Sequence, residues 1–300
     1  MEQCRFLMID RLLRLPNGHY HLYFFKNEKM NTIRKRKELR LLSKIGKIDR
    51  ISVVDYNTKK ENPIFVTEYK KDKNKVVKIL RKYSFKEYQK IFQKENGILR
   101  CNSNSKVFGR RKTDEKDIFV TSLLKEITND DTFLYDNEGI DITEKLLNHN
   151  PTRGFDIDLF DSKYNIVYEF LKTENAGVTN ATAHPMRYSW THNTYDNSKK
   201  FISLYHFSKA VGASLRFITY SMREQDANYI KLISDAVIDD KLGFLEDKEY
   251  IISAPKFKLF LEYSIKEQND FLIEDNKSVY LSNIDFKYKK YKNKLNTLKI

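Results

Sequence analysis

Four side chains could do chemistry together here: Asp156, Asp158, Glu169 and Lys172. They lie in "RGFDIDLFDSKYNIVYEFLKTE", Arg153 to Glu174. Two carboxylates on paired strands can share a divalent cation, because neighbouring strands lie about 4.8 Å apart. Hard oxygen ligands of this kind suit Mg²⁺, which keeps part of its water shell, with Mn²⁺ as a substitute. A nearby lysine can orient or deprotonate an attacking water and offset charge developing at phosphorus.

The elements that must position them are two apolar runs. "FDIDLFD" and "YNIVYEFLK" have strand composition, and "SKYN" between them suits a hairpin turn. Asp156 and Asp158 share a face if their strand is regular. Asp158 is the preferred ligand, because its eleven-residue distance from Glu169 suits a short hairpin. Lys172 raises a difficulty, because it stands three residues after Glu169. Strand side chains alternate with period two, so the pair would face opposite ways. Either a β-bulge near Phe170 or Leu171 absorbs the extra residue, or Lys172 is not catalytic and another base serves. The plain alternative is a solvated sheet face. Against it, Ile157, Leu159, Ile166, Val167, Tyr168, Phe170 and Leu171 make both strands read as buried, and buried acids need partners or a metal.

The pattern of Asp158, a hairpin, Glu169 and Lys172, then a helix and a strand, resembles the PD-(D/E)xK nucleases of the restriction-endonuclease-like fold. The resemblance covers Asp117 to Ser221, about a third of the chain. It implies an α/β fold with a mixed central sheet flanked by helices. It also implies Mg²⁺ bound by Asp158 and Glu169, Lys172 beside the attacking water, and Glu126 as an added carboxylate from the preceding helix. The chain departs from the pattern in having no Pro before Asp158, and in having two residues rather than one between Glu169 and Lys172. By the same resemblance, Lys199 and Lys200, opening the following helix, would contact phosphate or stand in for Lys172.

Composition fits a polyanionic partner without requiring one. The 300 residues carry 55 Lys and Arg against 41 Asp and Glu, a formal net charge of +14. An AT-rich coding sequence also produces such lysine-rich chains. Cys4 and Cys101 show no metal-ligand spacing. The N-terminal apolar run is broken by Glu2, Asp10 and several arginines, unlike a signal peptide, and no run suits a membrane span. A cytoplasmic location without membrane contact is therefore expected. P-loop, dinucleotide-fold, nucleophile-elbow and zinc motifs are absent.

Three regions are expected. Residues 1–110 form a mixed α/β or mostly β domain with a nucleic-acid recognition role, 111–285 the nuclease-like domain, and 286–300 a basic tail. "HYHLYFF", "RISVVDY" and "PIFVTEY" predict strands, and Ser84 to Gly97 predicts a helix capped by Ser84. "TDEKDIFVTSLLKEITND" predicts a helix, as does the segment from Asn197 or Ser198 to Gly212; "SLRFITYS" predicts a strand. "YIKLISDAVI" and "EYIIS" predict strands, and a helix is expected to open at Pro255. The long loop from Thr173 to Lys200 offers Arg187 to a phosphate and Tyr188 to a base; packing of its own aromatics is the alternative. Arg110 and Arg111, with the cluster at Arg34 to Arg40, could make a phosphate footprint or a solvated face.

The expected function is a Mg²⁺-dependent endonuclease acting on DNA, double-stranded in the first instance, in a restriction or phage-defence setting. Cutting both strands of a duplex would call for a homodimer. The alternatives are a non-catalytic nucleic-acid-binding protein of the same fold and a ribonuclease.

Overall fold

The computed structural model describes residues 6–26, 45–56, 63–73, 75–96, 122, 124–127, 138–148, 154–172, 198–220, 227–233, 235–236, 244–245, 248–253, 257–262 and 265. The chain is mixed α/β and forms two units: Met1–Lys125 with Asp130–Tyr164, and Glu126–Asn129 with Asn165–Ile300. The boundary expected near residue 110 lies outside the described residues; the division between Tyr164 and Asn165 falls between the two strands of the candidate hairpin.

The first unit contains β1 (Phe6–Arg14), β2 (Tyr20–Lys26), β3 (Ile48–Asp55), β4 (Ile64–Asp72), β5 (Lys75–Tyr83), α1 (Phe85–Asn96), α2 (Glu138–Leu147) and β6 (Phe155–Asp161). Its strands run in the order β6-β1-β2-β3-β4-β5. Only β2 and β3 are parallel; the other pairings are antiparallel. β6 joins this unit by pairing with β1. Sequence periodicity gave no warning of β1, β5 or α2. The apolar run of β1 is interrupted by charge, and β5 reads "KVVKILRKY", without clean alternation.

α1 starts at a capping box. Ser84 Oγ accepts from the Glu87 backbone N–H at 3.3 Å, and Glu87 accepts from the Ser84 N–H at 2.8 Å. Its face is laid on the sheet through Tyr88 and Phe92, which join Leu13, Tyr23, Phe25, Val54, Ile64 and Val66 in one core. α2 adds Ile142, Leu146 and Leu147 to that core. Its last carbonyls, which no helix can satisfy internally, accept from Gln89 Nε2 (Lys145 O, 2.7 Å) and Gln93 Nε2 (Leu146 O, 3.0 Å) of α1.

The second unit contains β7 (Ile166–Lys172), α3 (Ser198–Val211), β8 (Ser214–Tyr220), β9 (Ala227–Ile233), β10 (Asp235–Ala236), β11 (Phe244–Leu245), β12 (Lys248–Ser253) and α4 (Phe257–Glu262). Its main strand order is β12-β9-β8-β7, and β10 pairs with β11 separately. β7, α3 and β8 make a parallel strand–helix–strand crossover. Leu204, Phe207, Ser208 and Val211 form the buried stripe of α3, at helical spacing. The helix ends where Gly212 takes φ +71°, the Ala213 N–H reaches Ser208 O at 2.7 Å and the Gly212 N–H reaches Lys209 O at 3.2 Å. Pro255 and the basic tail from Phe286 lie outside the described residues.

Candidate functional site

Both principal acids are buried. Asp158, on β6, is 7% exposed, and Glu169, on β7, is 2% exposed. Ile157, Leu159 and Phe160 around one acid, and Tyr168 and Phe170 around the other, bury each strand within its own unit, and each acid goes with its strand. Residues 162–165 connect the two strands along the chain. Asp161 fixes the start of that connection, its Oδ1 accepting from the Lys163 and Tyr164 backbone N–H groups at 3.0 and 3.2 Å. In the second unit Asn165, at φ 56°, donates from Nδ2 to Val211 O at 2.9 Å. Its own carbonyl accepts from the Ser214 N–H, also at 2.9 Å, so the start of β7 is pinned to the end of α3.

The ladder between β1 and β6 is irregular at Asp158. Leu7 faces Phe160 and Ile9 faces Ile157, so Asp158 and Leu159 together oppose Met8. Two residues against one is a β-bulge on β6. A second irregularity follows. Ile9 faces Ile157 and Leu12 faces Phe155, so Asp10 and Arg11 together oppose Asp156. Asp10 Oδ2 accepts the Phe25 backbone N–H at 2.7 Å, taking over an acceptor role beside the β1–β2 ladder.

The β7–β8 ladder shows no such irregularity. β7 pairs with β8 through seven consecutive residues, from Ile166 opposite Ser214 to Lys172 opposite Tyr220. The bulge expected near Phe170 or Leu171 is absent from this ladder. Regular alternation puts positions 169 and 172 on opposite faces.

The remaining sequence candidates divide into three groups. Glu126 lies in the helical stretch 124–127 and is exposed, and its Oε1 pairs with Lys258 Nζ of α4 at 2.5 Å. Lys199 and Lys200 are in the first turn of α3. Arg110, Arg111, Arg187 and Tyr188 lie outside the described residues. Among the described residues no group of three or more His, Cys, Asp or Glu is placed to hold a metal ion. None of their helices is long and apolar enough to cross a membrane.

Sequence reasoning missed a buried polar network in the first unit. Arg11 Nε donates to Asn96 Oδ1 at 2.7 Å, Asn96 Nδ2 to Tyr23 Oη at 3.1 Å, and Tyr23 Oη to Glu95 Oε2 at 2.7 Å. Glu95 Oε1 then meets Arg50 Nη2 at 3.0 Å. Burial pulls the Arg11 guanidinium down to about 10, against the opposing pull of Tyr23 and Asp156. Arg11 also lies over the Phe92 ring, 5.4 Å from its centroid. Gly154 makes room for it: a Cβ there would stand 2.5 Å from Arg11 Nε. The signal was present in the sequence. Leu7, Ile9, Arg11 and Leu13 alternate along β1, so Arg11 occupies a core position.

The same network holds a serine, a histidine and a glutamate in line. His21 Nε2 is 2.8 Å from Ser52 Oγ, and His21 Nδ1 is 3.6 Å from Glu95 Oε2. The order suggests a nucleophile, a base and an orienting acid. Yet Ser52 and His21 are each 1% exposed, which leaves a substrate no approach. Burial holds His21 down at about 4, so it is neutral. Burial alone would raise Glu95, but hydrogen bonding and the Arg50 charge outweigh it and take Glu95 to about 2. At 3.6 Å the His21 contact is too long for a hydrogen bond, so Tyr23 and Arg50 are the main causes. This cluster is a hydrogen-bonded core.

No family model, no curated protein and no solved structure matches this chain.

Proposed function

We propose that the chain is a Mg²⁺-dependent endonuclease of the PD-(D/E)xK type, with a restriction-endonuclease-like core, in which Asp158 and Glu169 are the metal-binding carboxylates. The observation that carries this reading is their burial, at 7% and 2% exposure, in two successive strands. Buried carboxylates need hydrogen bonds, ion pairs or a metal, and a bound cation is compatible with the other partners that these two acids have. Their chemistry fits the cation. Mg²⁺ at phosphate-transfer sites usually takes one or two protein carboxylates and completes its shell with water and substrate oxygens. A cage of three protein ligands is therefore not needed. Once bound, the ion would polarise the scissile phosphate and offset its charge.

The residues divide the remaining work. Asp158 and Glu169 hold and orient. Regular alternation along β7 favours a phosphate oxygen over Lys172 for activation of the water. The first strand of the crossover, β7, brings Glu169 as a rigid element, because α3 and Asn165 tie its start. DNA is the substrate in this reading, with double-strand cutting by a homodimer in a restriction or phage-defence setting.

The test is incubation of the full chain with plasmid DNA, and separately with RNA, in Mg²⁺ or in EDTA. Metal-dependent cleavage of DNA that disappears in Asp158→Ala and Glu169→Ala is expected. Cleavage of RNA alone would move the substrate class. Binding without cleavage in any metal would leave the non-catalytic alternative. Mg²⁺ at about 100 times its Kd should also stabilise the wild type by about 2.7 kcal/mol over EDTA, and not the two variants.

A further inference from the structure

We propose that one face of the β4–β5 hairpin is a docking surface for single-stranded nucleic acid, with Phe65 as a base-stacking platform and Lys71, Lys78 and Lys82 as phosphate contacts. The choice of polyanion rests on the nuclease reading; the surface itself rests on the geometry of the hairpin.

β5 closes one end of the strand order in the first unit. None of its nine residues is buried. The register sets Phe65 opposite Lys82, Thr67 opposite Leu80, Tyr69 opposite Lys78 and Lys71 opposite Val76. Directly opposed residues of an antiparallel pair share a face. That face presents Phe65 at 40% exposure and Leu80 at 67%, with Lys71, Lys78 and Lys82 exposed around them, while Tyr69, opposite Lys78, is buried at 3%. Lys82 Nζ stands 5.8 Å from the Phe65 ring centroid, so the ring and the cation are neighbours in space as well as in register. Lys78 and Lys82 are four residues apart, about 13 Å along the strand. That spans a run of backbone rather than a single phosphate.

Lysines on an edge strand commonly serve only to prevent strand-to-strand association. That role accounts for the charges. It does not account for a phenylalanine and a leucine left exposed between them, which such a surface would shed. Charge selects the occupant. From Ile64 to Tyr83 the hairpin has seven Lys and Arg, against Glu68 and Asp72. Glu68 is further occupied by Arg50 at 3.5 Å. A second copy placed edge to edge would set these cations against each other. A single strand of nucleic acid brings phosphates for the lysines and unpaired bases for the ring, and this combination is how sequence-tolerant single-strand binders work. A duplex offers the phosphates, but keeps its base faces stacked inside.

The experiment is fluorescence anisotropy of the full chain in EDTA, with a labelled thymidine 20-mer and with the corresponding duplex. The wild type should prefer the single strand. Phe65→Ala should weaken binding by roughly 5- to 150-fold, the cost of one stacked base, with the salt dependence unchanged. Phe65→Tyr should restore it. Lys78→Ala with Lys82→Ala should lower the slope of log Kd against log salt by about 1.4, for two single-strand phosphate contacts. All these positions are exposed, so circular dichroism should show unchanged folding. Equal affinity for the duplex, or indifference to Phe65→Ala, would overturn the proposal. The two readings fail separately. Loss of cleavage in Asp158→Ala with single-strand binding intact upholds both. Binding that depends on Phe65 in a wild type that never cleaves sinks the nuclease and keeps the surface. Cleavage unaltered in all hairpin variants, with unaltered binding, does the reverse.

Discussion

β6 and β7 each carry a buried acid, yet their backbones differ. β6 meets β1 with two register shifts, one of them at Asp158 itself. β7 meets β8 through seven unbroken pairs. The irregularity that the spacing of Glu169 and Lys172 demanded is thus found beside the other acid. The contrast has a physical cause. The β7–β8 ladder is parallel, bridged by α3, and held at its start by Asn165 and by the capped end of that helix. An extra residue there would have to push the helix end away. Among the described residues the antiparallel β1–β6 ladder has no such clamp, and Asp10 supplies a side-chain acceptor where the β1 backbone departs from regular pairing.

The largest effect should come from the acids themselves. Asp158→Ala and Glu169→Ala are each expected to lower Mg²⁺-dependent cleavage at least ~10²- to 10³-fold, in the range seen when one electrostatic stabiliser is lost. If only one of the two variants loses activity in a plasmid assay, the proposal that both acids hold the metal fails.

A smaller effect belongs to the network beneath β1. His21 has a folded pKa of about 4 against an ordinary 6.5. The unfolded chain therefore takes up a proton that the folded chain refuses. Its penalty is absent above pH 6.5, grows as pH falls toward 4, and then levels at roughly 3 kcal/mol. Glu95, at about 2 against 4.5, adds a contribution that is present above pH 4.5 and lost as pH falls toward 2. His21→Asn should abolish the upper window in urea midpoints followed by circular dichroism and narrow the lower one, because His21 is among the groups that lower Glu95. An unchanged pH profile would show that His21 is not sealed from protons.

Gly154→Ala comes next. The added Cβ meets the Arg11 guanidinium, which cannot swing away without breaking its bond to Asn96. A loss of about 1–3 kcal/mol is expected, as for other overpacked sites. A neutral result would mean that the β1–β6 irregularity can absorb the methyl group. Lys172→Ala should do least, changing the cleavage rate by no more than about two- to threefold, since regular alternation sets position 172 opposite Glu169. A large fall in kcat would show that β7 departs from its ladder in the active complex.

Local pattern made much of the fold legible. The aromatic alternation of β2, the apolar runs of β3 and β8, the Ser84 cap and the glycine stop at Gly212 each carry their instruction within a few residues. β5 was illegible because a strand exposed on both faces has no apolar alternation to detect. β1 was illegible because charge interrupts its apolar run; the polar groups of α1 and β2, with the charge of Asp156, make Arg11 tolerable in a core.

By itself, the sequence determined that Asp158 and Glu169 had to be buried. Each is flanked by large apolar side chains in a run too apolar to lie on a surface, and burial follows from the area those neighbours must hide. Tertiary structure decided where the strand would bulge, that Arg11 would lie over Gly154, and that β6 would pair with β1. Alternation fixes a side chain's face only within its own strand. Register is a property of two strands, and the second one lies far away in the chain.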